Sequence, residues 1–183
     1  MKLLAIDPGT TESAYVVLDW NYNILAHDKV QNAALLELID TRKDISHVAI
    51  EMVASYGMPV GREVFETCVW IGRFMQECDR ALDINPDWVY RQQEKLSLCH
   101  CTRANDATIH RALVDRFAQF DKIRGTGVKN HQDVFYGFRA DQWAAMAVGV
   151  TWLDAKHAER ERDFDNYDRM MRGNYNKYSG EEI

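Results

Sequence analysis

No stretch of the 183-residue chain stays apolar for the ~18 residues that a membrane helix needs, so no helical span is expected. A basic-then-apolar leader is also missing, because the first residues enter a strand directly. The expectation is a cytosolic protein. Cysteine is sparse, with Cys68, Cys78, Cys99 and Cys101 only. In a reducing compartment these read as free thiols, and a chain of this size buries a core without staples. Cys99-His100-Cys101 is too tight for a C-x₂₋₄-C zinc knuckle, and no second ligand pair follows it. On a strand-like stretch, alternation alone accounts for two small buried thiols. An excess of positive charge is absent too: the net charge is −6, which does not advertise a nucleic-acid binder. No internal repeat is present.

What the chain does have is an ordinary globular composition, 46% apolar and 27% charged, enough for one domain. Residues 2–7, 13–19 and 23–29 read as three strands, the last two joined by a hairpin turn at Trp20-Asn21-Tyr22-Asn23. A short helix over 31–42, a fourth strand at 46–51 and a loop over 52–60 follow. The long helix 61–82 carries Phe65, Cys68, Ile71, Gly72, Met75, Cys78 and Leu82 at helical spacing, with Val64, Val69 and Trp70 off that stripe. Asn85-Pro86 breaks it, Trp88-Val89-Tyr90 is a fifth strand, and Asn105 caps a helix to Phe117. Residues 119–139 are long for a connection and carry three glycines, as functional or mobile loops do. A last helix runs from about 140 to 158, before a polar tail at 159–183 that has little to bury. Three antiparallel strands followed by alternating units predict an α/β fold, a mixed five-stranded sheet flanked by helices. The expected domains are 1–158 and the tail 159–183.

Three acids carry the functional reading. Lys2-Leu3-Leu4-Ala5-Ile6-Asp7 is an apolar strand that delivers a carboxylate and stops at Pro8-Gly9. Ser46-His47-Val48-Ala49-Ile50-Glu51 repeats the idea. Asp141 opens an alanine-rich helix, in its first turn and on the face of Ala144, Ala145 and Val148. Taken singly, these are a turn residue, a strand terminus and a helix cap. Together they suit a divalent-cation site, because magnesium takes hard oxygen ligands and an acid on an apolar stripe is costly unless paired or metal-bound. Two such ions would clamp the attacking and leaving oxygens of a phosphodiester.

The segments Ala5-Ile6-Asp7-Pro8-Gly9, Val48-Ala49-Ile50-Glu51 and Ala140-Asp141-Gln142-Trp143-Ala144-Ala145 resemble the motifs of RuvC-type Holliday junction resolvases, especially their phage relatives. The resemblance covers residues 2–153 and includes, more weakly, the helix after the Glu51 loop, Tyr90-Arg91-Gln92 and Thr102-Arg103-Ala104-Asn105-Asp106. It implies an RNase H-like fold, a homodimer, and Asp7, Glu51 and Asp141 as catalytic, metal-binding acids for Mg²⁺ or Mn²⁺, with two ions. It implies a DNA endonuclease that resolves four-way junctions by paired symmetric nicks. One departure stands out: bacterial members carry a fourth acid three residues before Asp141, where this chain has Phe138. Either three acids suffice, or another group such as Asp133 or His131 completes the set. Arg91, Lys95, Arg103, Lys122, Arg124 and Lys129 are the candidates to hold DNA phosphates, and Tyr56 and Met58 to stack on or wedge an unpaired base. The rival readings are a nuclease for other branched DNA, flaps or RNA–DNA hybrids, and an inactive DNA-binding relative. An actin- or Hsp70-like ATPase would share the opening Asp7-Pro8-Gly9-Thr10-Thr11, but needs two core domains.

Overall fold

The computed structural model describes residues 1–55, 57 and 59–178. It divides into two compact units, Met1–Trp152 and a second one beginning at Leu153. In chain order the elements are β1 (Lys2–Asp7), β2 (Glu12–Asp19), β3 (Ile24–Gln31), α1 (Asn32–Thr41), β4 (His47–Met52), α2 (Arg62–Leu82), β5 (Asp87–Tyr90), α3 (Arg91–Cys99), α4 (Asp106–Phe117), β6 (Gly127–Val128), β7 (His131–Gln132) and α5 (Gln142–Tyr178).

The expected mixed sheet is the one observed. Five strands lie in the order β3-β2-β1-β4-β5, with β1–β2 and β2–β3 antiparallel and β1–β4 and β4–β5 parallel. Leu3–Ile6 of β1 and Val48–Ile50 of β4 are buried throughout, which explains why these strands read as continuous apolar runs: both faces of the sheet are covered. One core joins Leu4, Ile6, Val17, Leu35, Ile39, Ile50, Ile71 and Phe74. On the segment of α5 that lies in the first unit, Gly149 sits over the sheet, where an added Cβ would stand 2.7 Å from Leu18 Cδ1 and 3.1 Å from Ala5 Cβ. The absence of a side chain there lets the helix approach, and so fixes where its N-terminus meets the strand ends.

Several expectations shift. In α2 the buried stripe is Thr67, Ile71, Phe74 and Cys78, while Phe65 and Cys68 face outward. Phe65 and Val69 of the same helix are left 60% and 63% exposed. Residues 91–99 form a helix, α3, that the polar run Arg91-Gln92-Gln93-Glu94-Lys95 did not announce. Cys99 is therefore a half-buried helix terminus and Cys101 an exposed residue beyond it, not two buried thiols on a strand. The 119–139 connection contains the β6–β7 hairpin. In the second unit the helix continues past 158 to Tyr178, because mixed charge without an apolar stripe does not itself end a helix. Among the described residues no helix is long and apolar enough to cross a membrane.

Candidate active site

Parallel pairing decides the site. The C-terminal ends of β1, β4 and β5 lie at one edge of the sheet, where open α/β sheets place ligands. The register Ile6↔Ile50 brings the next residues, Asp7 and Glu51, side by side. Their carboxyl groups hydrogen-bond one another. Burial raises the proton affinity of both. For Asp7 the charges of Glu51, Asp141 and Glu94 add to burial, and its pKa is pushed up to about 8. For Glu51 the nearby Arg91 charge and the bond from Asp7 act against burial.

The turn after Asp7 is tied down by groups that sequence reading missed. Gly9 N–H donates to Ser13 Oγ at 3.1 Å, Ser13 Oγ donates to Asn32 Oδ1 at 2.6 Å, and Asn32 Nδ2 donates back to Gly9 O at 3.0 Å. Gly9 is needed for space, since an added Cβ would fall 2.3 Å from the Glu12 carbonyl oxygen. Ser13 and Asn32 are both buried, and their closed ring holds the strand end that carries Asp7.

Asp141 lies just before α5 rather than in its first turn. Its carbonyl accepts from Ala144 and Ala145 N–H at 3.0 and 3.1 Å, so it is the capping residue. Its side chain is 45% exposed and pairs with Lys29 Nζ of β3 at 2.5 Å, not with the buried stripe. Lys29 also stands 3.7 Å from Glu12. The buried residue at this junction is Gln142, whose Oε1 accepts from Arg139 N–H at 2.9 Å and lies 3.2 Å from His27 Nδ1. Asp141 remains close enough for its charge to act on Asp7. Among the described residues, no three His, Cys, Asp or Glu side chains stand at metal-ligand spacing. The only cation paired with these three acids by a direct contact is the Lys29 ammonium on Asp141, among the described residues.

Helix α3 adds a group that the sequence reading passed over. Glu94 is 0% exposed. Its Oε2 accepts from Arg91 Nη1, and Arg91 Nη2 donates to Asp106 Oδ1 at the start of α4. Its Oε1 has no hydrogen-bond partner. Burial first, and then the charge of Glu51, raise its proton affinity, against the pull of Arg91. A cavity of about 270 Å³ joins Arg91 and Asp106 to His110, Ala140 and Asp141. The acidic edge therefore runs from β1 and β4 across α3 and α4 to the cap of α5.

Phe138, where an acid was sought, is buried among aromatic rings, with centroids 4.4 Å from His27, 5.2 Å from Phe135 and 5.2 Å from Trp143. Both proposed substitutes are engaged elsewhere. His131 is exposed and stacks on Phe120 at 3.8 Å. The Asp133 carboxylate accepts from the N–H groups of Gln119, Phe120, Asp121 and Val134 at 2.7–3.0 Å. Those bonds outweigh burial and hold it well below the usual carboxylate range.

Of the phosphate candidates, Arg91 is turned inward to Glu94 and Asp106. Lys95 lines a cavity of about 230 Å³ with Arg91, Gln92 and Thr102. Arg103 is exposed between α3 and α4. Lys122 is exposed, and its ammonium donates to the Ala118 carbonyl. Arg124 and Lys129 are exposed on the 119–139 segment, before and between the strands of the β6–β7 hairpin, as are Ile123 and Val128. Tyr56 and Met58 lie outside the described residues.

No protein-family model matches the chain, and no curated protein matches it. Among solved structures it is similar to Thermus thermophilus RuvC, at 16% identity over 86% of this chain and 97% of that chain, with a TM-score of 0.60. It is likewise similar to T. thermophilus RuvC in complex with Holliday junction substrate, at 15% identity, 82% and 92% coverage and a TM-score of 0.61. The chain has the RuvC fold.

Proposed function

We propose that this protein is a divalent-metal-dependent DNA endonuclease that resolves four-way junctions. The observation that carries the reading is the pair of strand-end acids, Asp7 and Glu51, held against one another with proton affinities raised by burial, in a fold of RuvC type. Hard carboxylate oxygens with raised proton affinity fit Mg²⁺ or Mn²⁺ rather than a soft metal. Asp7, Glu51 and Asp141 would hold one or two such ions. When bound, the cation supplies Lewis-acid charge at the phosphate and a nucleophilic water.

The chain's own groups do the rest. The Ser13–Asn32 ring fixes the backbone that presents Asp7. Lys29 keeps the exposed Asp141 carboxylate oriented until a stronger cation competes for it. Lys95, Arg103, Lys122, Arg124 and Lys129 hold phosphates without reading bases, with Tyr56 and Met58 as the stacking pair beyond Glu51. One acidic centre per chain cuts one strand, so paired nicks call for a C₂ dimer. The exposed Phe65 and Val69 of α2 offer an apolar face for it.

The test is a four-strand end-labelled junction incubated with Mg²⁺ or Mn²⁺ beside linear duplex, flap and RNA–DNA hybrid, with sedimentation run on the same preparation. Symmetric nicks in two strands of like polarity, by a dimer, support the reading. Equal cutting of duplex or hybrid by a monomer would move the protein to general nucleases of the same fold.

A further inference from the structure

Every feature of Glu94 is out of proportion to a structural ion pair. Arg91 already has a carboxylate in Asp106, which lies at the surface and needs no desolvation. A second, fully buried acid adds the cost of taking its charge out of water, and one of its oxygens, Oε1, is left with no partner at all. Buried polar atoms in native proteins are nearly always hydrogen-bonded, and exceptions call for a reason such as an absent ion. A glutamine would satisfy Arg91 through its carbonyl without burying a charge. The surroundings make the arrangement costlier still, because the Glu94 charge acts unfavourably on Asp7 and that of Glu51 on Glu94. Three buried or half-buried carboxylates thus converge on one edge from β1, β4 and α3, with one guanidinium between them.

Position 138 sharpens the argument. Phe138 packs into an aromatic cluster and supplies no oxygen, His131 is stacked at the surface, and Asp133 is fully engaged with backbone N–H groups. Of the acids between α4 and α5, Asp141 is the one whose charge acts on Asp7. We infer that Glu94, carried by α3 and clamped through Oε2 by Arg91, is the fourth carboxylate of the divalent-cation centre and offers its free Oε1 to the ion. The inference rests on the proposed metal-dependent reading, and it assigns Arg91 to positioning Glu94 rather than to DNA.

The experiment is a Mn²⁺ titration of the full chain followed by electron paramagnetic resonance, with thermal unfolding recorded in chelator and in Mn²⁺. Wild type is compared with Glu94→Gln and Asp7→Asn. Expected for Glu94→Gln is Mn²⁺ affinity weakened about tenfold or more, an unfolding temperature in chelator that is unchanged or raised, and a smaller Mn²⁺-induced rise. Wild-type Mn²⁺ affinity in Glu94→Gln, with Asp7→Asn impaired, would overturn the role of Glu94 and leave the metal site standing. Unchanged binding in both variants would remove the metal site itself. Should Glu94→Gln fail to fold, the double variant Glu94→Met/Arg91→Met removes the pair without stranding a charge. Losing Arg91 can only favour a cation, so weakened Mn²⁺ binding there supports the inference, and wild-type binding overturns it.

Discussion

Two groups of acids in this molecule have opposite environments. In the 119–139 segment, Asp133 accepts four backbone N–H bonds, and Asp121 accepts from Ile123, Arg124 and Gly127. Both carboxylates are held below their ordinary range, Asp133 against the effect of burial. At the edge formed by the ends of β1 and β4 and by α3, Asp7, Glu51 and Glu94 are buried or half-buried near one another, and all three are raised. The first group is satisfied by the chain and builds a loop. The second has its charges opposed by burial and by one another, and the proposed cation would relieve that. Number of acids says little about function; their hydrogen-bond accounts separate the two kinds.

The comparison breaks most visibly at Glu51. Glu51→Gln should lower junction cleavage by more than about a hundredfold, beyond what loss of a group supporting a metal ligand costs, while gel-shift affinity for the junction changes little. Wild-type turnover in that variant would place Glu51 with the structural acids. At the other pole, Asp133→Ala strands several N–H groups. It should destabilise the protein by about 2–4 kcal/mol in denaturant unfolding, with Mn²⁺ affinity per folded molecule unaltered.

The same contrast sets a pH dependence. Asp7 has a raised folded-state value, so its neutral form is what the fold favours, and its contribution is complete below the ordinary carboxylate range near 4. It is lost as pH rises towards about 8. Asp133 runs the other way, full above the ordinary range and lost as pH falls through its depressed folded value. In chelator, the melting temperature should therefore fall between pH 5.5 and 8, and Mg²⁺ should restore more at pH 8 than at pH 5.5, since the ion replaces a proton. A flat profile in chelator would show the strand-end acids ionised without strain. The smallest effect is expected from truncation after Ala158, in keeping with the proposed domain of residues 1–158, which should leave cooperative unfolding in place. Its loss would show that the first unit needs the rest of α5.

Asp7 and Glu51 were legible in sequence because the information is local: an apolar strand, one acid, a breaker. The mixed five-stranded sheet followed from the same runs. Glu94 was not legible, because α3 has no apolar stripe and only the packing of β5, α3 and α4 buries one of its polar residues. The exposure of Asp141 depends on a lysine from β3, more than a hundred residues earlier, and the spare oxygen of Glu94 on the absence of donors, which no spacing encodes. In α2 the expected stripe holds at Ile71, Met75, Cys78 and Leu82 and fails in the first turns, where Phe65 and Cys68 face outward and Thr67 is buried instead.

The most direct measurement is single-turnover cleavage of a four-way junction in Mg²⁺ by wild type, Asp7→Asn and Asp133→Asn, each with its junction affinity measured in parallel. The account predicts that Asp7→Asn binds the junction and does not cut it, whereas Asp133→Asn cuts it wherever it is folded. Cleavage by Asp7→Asn at the wild-type rate would contradict the claim that the acids at the strand ends are the catalytic centre.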